Sequence, residues 1–261
     1  MSGLGCIHKY LAEGYIPIID IGSFPNVING FNKSKGNYWE LFFEQPFGYT
    51  LKEVQKNANN ITRIVCGNCS PRLHVRSMPF NEVQQSFWHN LAIKYLPIKK
   101  EILDLSNKIF IKLFKSSINI LGVLTRGTDY MFLKPKGHCI PPNITDLVHD
   151  VKEMDNKYIY DYIFFSTEDD NIRVIFSKNF SKKLRMIKPK MKTNYNYSKK
   201  KFLGYNDNIK GNIEYNKIYL LNIIILSKCL DIITARCNGA AGIFVLTNGF
   251  RNIKVYNLGV N

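Results

Sequence analysis

The run Ile118-Asn-Ile-Leu-Gly-Val-Leu124, followed by Thr125-Arg126-Gly127-Thr128-Asp129-Tyr130, decides how the chain is read. A short, mostly apolar, partly β-branched run bounded by turn residues reads as a buried strand. From this point the pattern repeats. Strands are expected at 158–165, 184–187, 231–235 and 253–256. Helices are expected at about 144–154, after residue 170 and leading to Phe180, at 212–228 and at 238–246. Strands alternating with helices predict a parallel sheet with helices on both faces, a Rossmann-type α/β arrangement. Such sheets bind ligands at the carboxyl ends of their strands, so the residues just after each strand carry the information.

Upstream, the signals are less regular. Residues 7–11 have helical spacing and Gly14 is a helix stop. Residues 15–20 read as a buried strand, the second half of a βαβ unit whose first strand is missing. Residues 22–36 form a polar loop. Helices are expected at about 50–57, 80–95 and 98–115. The aromatic segment Tyr38, Trp39, Phe42 and Phe43 suits a core, with a sugar-stacking platform as the alternative. Two regions follow: 1–115 as an N-terminal α/β region, and 116–261 as a Rossmann-like domain.

The 261 residues include 45% hydrophobic, 21% charged and 13% aromatic residues, enough for a real core and too apolar for disorder. The net charge of +16 and pI near 9.5 point to an anionic partner, although part of the lysine excess is compositional. Residues 188–210 are rich in Lys, Asn and Tyr and read as a basic loop. That loop is also the basis for an alternative reading as a nucleic-acid-binding module, and no nucleic-acid motif accompanies it. The six cysteines are scattered, which suits a reducing compartment. Cys66-Gly-Asn-Cys69 has knuckle spacing without a second pair. His149-Asp150 falls on a helix surface. No signal-peptide pattern opens the chain, and the longest apolar run, 218–226, is far shorter than the ~20 residues of a membrane span.

Three post-strand segments carry the chemistry. Arg126 can hold a phosphate bidentately, Gly127 allows close backbone approach, and Asp129 can bind a sugar or act as a base. The plainer reading pairs Arg126 with Asp129 at a loop. Ser166-Thr167-Glu168-Asp169-Asp170 can meet a ribose or a base edge, or merely cap the next helix. Arg236-Cys-Asn-Gly239-Ala-Ala-Gly242 can open an anion-binding helix N-terminus, or serve close helix–sheet packing. Neither G-x-G-x-x-G nor the P-loop lysine is present. His138, in a Gly/Pro loop, is a further active-site candidate.

Together these segments resemble the α-1,2/α-1,6/protein-O-fucosyltransferase superfamily. Residues 121–130 resemble its H-x-R-R-T-D-type motif, and the run through Lys134-Pro-Lys-Gly-His138 and Pro141-Pro142 resembles a bacterial branch associated with surface polysaccharides. Phe165-Ser-Thr-Glu-Asp169 matches its second motif, and the stretch from Leu226-Ser-Lys-Cys-Leu-Asp231 through Asn238-Gly239 its third. Leu124 stands where the family has His, and Gly127 where it has a second Arg.

The resemblance implies a GT-B-like fold. It also implies inverting transfer of fucose, or a related sugar, from GDP-fucose or another nucleotide sugar to a glycan or lipid-linked glycan acceptor. No metal or cofactor is implied. Arg126 would bind the donor diphosphate with Gly127 and Thr128. Ser166, Thr167 and Asp169 would meet the nucleoside, and Ser227, Asn238 and Gly239 the phosphate side. Arg126, Asp129 and His138 are the catalytic candidates, the latter two as candidate bases. A cytoplasmic protein is expected, with the basic loop able to meet an anionic membrane surface. An inactive, shortened relative is the remaining alternative.

Overall fold

The structure is a computed structural model that describes residues 2–21, 36–62, 75–127, 131, 133–187 and 213–261. Its centre is a five-stranded sheet: β1 (Ile120–Leu124), β2 (Tyr162–Ser166), β3 (Leu184–Arg185), β4 (Asp231–Ala235) and β5 (Asn252–Tyr256). The order is β3-β2-β1-β4-β5 and every pairing is parallel. β1 is central, with Leu121 opposite Ile163 on one side and Asp231 on the other. The order reverses between β1 and β4, the topological switch point at which such sheets open a crevice.

Both faces are covered. Leu121, Val123, Ile163, Phe165 and Ile233 point to one face, where they pack on α5 (Ile144–Tyr158) and α6 (Asp170–Phe180). Ile120, Leu124, Phe164 and Ile232 point to the other, beneath α7 (Ile213–Leu226) and α8 (Asn238–Leu246). Residues one apart on a strand face opposite ways, which is why one apolar run feeds two cores. Leu221 to Leu226 are all buried. A helix apolar all round needs cover on its outer side too, and the N-terminal region supplies it. A third cluster seats Phe42 and Ile102 on Leu221 and Ile224. That cluster joins the helix α4 (Lys100–Phe114) to α7, while α1 (Ser2–Ala12) packs on α3 (Glu82–Tyr95), which packs on α8. The short α2 (Leu51–Asn57) starts in a capping box formed by Thr50 and Glu53.

The strand expected at 15–20 does not form. The segment is held by side-chain amides instead. Ile19 N–H donates to Gln45 Oε1 at 2.9 Å, its carbonyl accepts from Gln45 Nε2 at 2.9 Å and Asn37 Nδ2 at 2.5 Å, and Ile21 N–H donates to Asn37 Oδ1. Two buried amides thus do for this backbone what a neighbouring strand would do. Among the described residues before β1 there is no strand, so the parallel sheet belongs wholly to the later part of the chain. Tyr38, Phe42 and Phe43 are core residues, and Trp39 stacks on Phe43 with centroids 4.3 Å apart. Cys6 is disulfide-bonded, whereas Cys139, Cys229 and Cys237 are free thiols. The picture of scattered thiols therefore does not extend to Cys6. Residues 66 and 69 and the basic loop 188–210 lie outside the described residues. Among those described, no helix is long and apolar enough to cross a membrane.

At the amino edge of β4, Asp231 is fully buried. It accepts from Arg251 Nη2 at 2.5 Å, from Asn252 N–H at 2.8 Å and from the Tyr160 hydroxyl. Burial pushes its carboxyl up, but Arg251, Tyr160 and the Asn252 amide together outweigh that and hold it below the usual range. Arg251→Ala leaves a buried carboxylate without its counter-charge. Because Tyr160 and Asn252 still bind it and the Arg251 side chain is 43% exposed, so water partly replaces it, we expect a loss of about 2 kcal/mol at pH 7, measured by urea unfolding. A depressed native pKa contributes stability that is full above the unfolded value, about 3.9, and is lost as pH falls through the native one. The difference between wild type and variant is therefore expected to shrink below about pH 4; a difference constant down to pH 2 would contradict the assignment.

Candidate active site at the switch-point crevice

The loop after β1 and the loop after β2 meet first. Gly127 N–H donates to Glu168 Oε1 at 3.1 Å, and the same oxygen lies 3.5 Å from Arg126 Nε. The Arg126 side chain is 28% exposed and that of Glu168 13%. A half-buried guanidinium with a carboxylate on one of its five donors is held in direction as well as in charge. Gly127 is required by packing. A Cβ there would lie 2.6 Å from Asp169 Cβ and 2.8 Å from Ile172 Cδ1.

Asp169 is buried and caps α6, accepting from Asn171 N–H at 2.9 Å and Ile172 N–H at 3.2 Å. Thr167 Oγ1 accepts from Asp169 N–H, and the Thr167 carbonyl accepts from Arg173 Nη2 at 2.6 Å. The Ser166 carbonyl accepts from Thr125 N–H. Ser166, Thr167 and Asp169 are thus all buried at this edge, and the capping role foreseen for the segment falls to Asp169. Beside them, a cavity of about 300 Å³ is walled by Met131, Pro142, Ile144 and Ile172, with Thr125, Asp169 and Asn171 at its polar side.

On the other side of the switch point, β4 leads through Arg236 and Cys237 into α8. Cys237 is the N-cap, its sulfur accepting from Ala240 N–H at 3.4 Å. Burial pushes the Cys237 thiol up, more than the Ala240 and Gly239 amides and Arg126 pull it down, so it is a neutral cap and not a nucleophile. Gly239 is buried while Asn238 is exposed at the first turn. The small residues here also serve close packing, since a Gly239 Cβ would sit 3.2 Å from Leu124 Cδ2 and 2.5 Å from the hydroxyl of Tyr219 on α7. The electrostatic neighbours of Tyr219 are Cys237, Arg126, Glu168 and Tyr215. Arg126, Glu168, Tyr219, Cys237 and Gly239 therefore converge on one crevice, from four elements. An anion there would meet a guanidinium and the positive end of a helix.

Other candidates fall elsewhere. Ser227 follows α7 and precedes β4, its hydroxyl donating to the Ile224 carbonyl at 2.8 Å. It lies at the amino edge of the sheet, a strand's length of about 13 Å from the carboxyl edge, and takes no part in the crevice. Thr128 and Asp129 lie outside the described residues. His138 is exposed on a loop pinned to residues near 260. Gly137 N–H donates to the Asn261 carbonyl, Asn261 N–H to the His138 carbonyl, and Arg76 Nη2 to the Gly137 carbonyl. Arg236 is engaged by the Met78 carbonyl and Asn257. His149, Asp150 and Glu153 offer ligand atoms within 4.8 Å of one another, but Lys254 Nζ is 2.7 Å from Asp150 and holds the cation's place.

No protein-family model matches the sequence, and no curated protein matches it. Solved structures do match the fold. A fucosyltransferase NodZ from Bradyrhizobium superposes with a TM-score of 0.52 over 94% of this chain and 87% of its own, at 14% identity. The NodZ α-1,6-fucosyltransferase co-crystallized with GDP gives the same TM-score and identity over 94% of this chain and 86% of its own. POFUT1 in complex with GDP-fucose matches at a TM-score of 0.42 and 9% identity, over 70% of this chain, which spans about half of its length (51%). The likeness to the two NodZ structures, at 14% identity, establishes the fold alone: the chain has a GT-B, fucosyltransferase-like fold.

Because Gly127 touches Asp169 where a methyl group would go, Gly127→Ala is expected to lower stability by about 2 kcal/mol. The measurement is thermal unfolding, with Gly3→Ala, a helical position with open space around it, as the comparison. A Gly127→Ala protein as stable as wild type would show that the two loops are not in contact.

Proposed function

We propose that this protein is a glycosyltransferase that binds a GDP-sugar, GDP-fucose or a related donor, across the β1–β4 crevice and transfers the sugar with inversion. The observation that carries the reading is Arg126, half-buried at the switch point beside the α8 N-terminus, in a chain with the fold of a fucosyltransferase. The donor diphosphate would take Arg126 on one side and the Gly239 backbone on the other. The cavity beside Thr125, with apolar walls and the Asp169 and Asn171 polar groups, suits the nucleoside.

The chemistry asks for what these residues provide. An acceptor hydroxyl attacks the anomeric carbon as the bond to the diphosphate oxygen breaks, and the electron pair leaves with the nucleoside diphosphate. Charge grows on that leaving group, so a fixed cation in a partly dry crevice lowers the barrier. Glu168 keeps Arg126 aimed, which makes it a positioning residue. The acceptor proton needs a base, for which Asp129 and His138 are the proposed residues. The same resemblance suggests a glycan or lipid-linked glycan acceptor in surface-polysaccharide synthesis, reached from the cytoplasmic side with the help of loop 188–210.

The test is calorimetric titration with GDP, UDP, ADP and GDP-fucose, without metal, of wild type and Arg126→Ala. We expect the guanine nucleotides alone to bind, and the variant to bind them about 10- to 100-fold more weakly, the effect of losing hydrogen bonds to a charged group. A folded wild-type protein that binds none of the four would overturn the reading.

A further inference from the structure

Tyr219 belongs to a helix whose last turns bury mostly aliphatic side chains, yet its hydroxyl reaches the crevice. The hydroxyl oxygen lies 2.5 Å from the position a Gly239 Cβ would occupy, directly over the first turn of α8. Arg126, Glu168 and Cys237 are close enough to act on it electrostatically. The residue is 44% exposed, so it is not a plug in the core. Of its neighbours here, Cys237 is used as a cap and Glu168 is acidic.

Resting on the donor-binding reading above, we propose that Tyr219 is a donor-binding residue whose hydroxyl hydrogen-bonds the diphosphate held between Arg126 and the α8 N-terminus, with Gly239 leaving room for it. The phenol suits this part. Protein around the hydroxyl pushes its pKa up, with Cys237 adding to the shift more than Arg126 offsets it. It therefore keeps its proton at neutral pH and donates to a phosphate oxygen, where a phenolate would repel it. A neutral donor adds direction without another charge. The geometry assigns Tyr219 to the diphosphate and not to the base, because it approaches the Gly239 side of the crevice.

The experiment compares Tyr219→Phe with wild type and Arg126→Ala, titrating each with GDP and with guanosine, which has the base and ribose but no phosphate. Tyr219→Phe keeps the ring, and circular dichroism with thermal unfolding checks that it folds like wild type. The expected result is GDP binding weakened about tenfold, the usual effect of one lost donor to a charged acceptor, with guanosine binding unchanged. If Arg126→Ala loses GDP while Tyr219→Phe binds it as tightly as wild type or more tightly, this assignment falls and the donor-site reading stands. Equal weakening of GDP and guanosine also overturns it, since Tyr219 would then act on the nucleoside or on the fold. Wild type that binds no GDP overturns both.

Discussion

Where β1 ends, the backbone of Gly127 lies against the Asp169 side chain and gives its N–H to Glu168. With the Thr125 N–H to Ser166 carbonyl bond, this close approach ties the ends of β1 and β2 together. Arg126 is fixed by it on one side, because Glu168 holds both the Gly127 amide and the guanidinium. The start of α6 is fixed on the other, because Asp169 is at once the neighbour of Gly127 and the cap of that helix. The cation at the switch point, the apolar cavity and the helix start are therefore one mechanical unit.

The later part of the chain is legible because its chemistry is local. β4 and α8 fall where β-branched and small residues place them, at Asp231–Ala235 and Asn238–Leu246. β1 and β2 start later than their apolar runs, since pairing with neighbours, and not hydrophobicity, sets where a strand begins. The segment at 15–20 misleads for the same reason. It is apolar and extended, but Asn37 and Gln45 satisfy its backbone from a distance in sequence that periodicity does not see. At the site, Arg126 is recognisable from its place after a strand. Glu168 is hidden among neighbours that look like ribose ligands or caps. Tyr219 is hidden more deeply, as an aromatic in an apolar helix resembles a core residue until the helix is placed. Ser227 looks like part of a motif only because the motif runs across the far end of the sheet.

The N-terminal layer is not a second sheet among the described residues. It is a cover, and α7 shows why one is needed. A helix with apolar residues on every side is unstable against a sheet alone. Phe42, Ile102 and their neighbours close its outer face, and that fixes the rotation of α7 about its axis. The direction in which Tyr219 points is a consequence of that packing, so residues far from the crevice help decide what lines it.

The central position of β1 has a further meaning for how the molecule comes into being. Its neighbour β4 is paired residue for residue with it, although more than a hundred residues separate Leu121 from Asp231. Closing so long a loop is entropically slow, and parallel pairing of this kind comes late in folding. The first of the two crevice walls, carrying Arg126 and Glu168, is complete well before the second emerges during synthesis. For that interval the nascent chain exposes an unpaired strand edge and a naked apolar face, a period of vulnerability to aggregation that ends only when α7 and β4 dock.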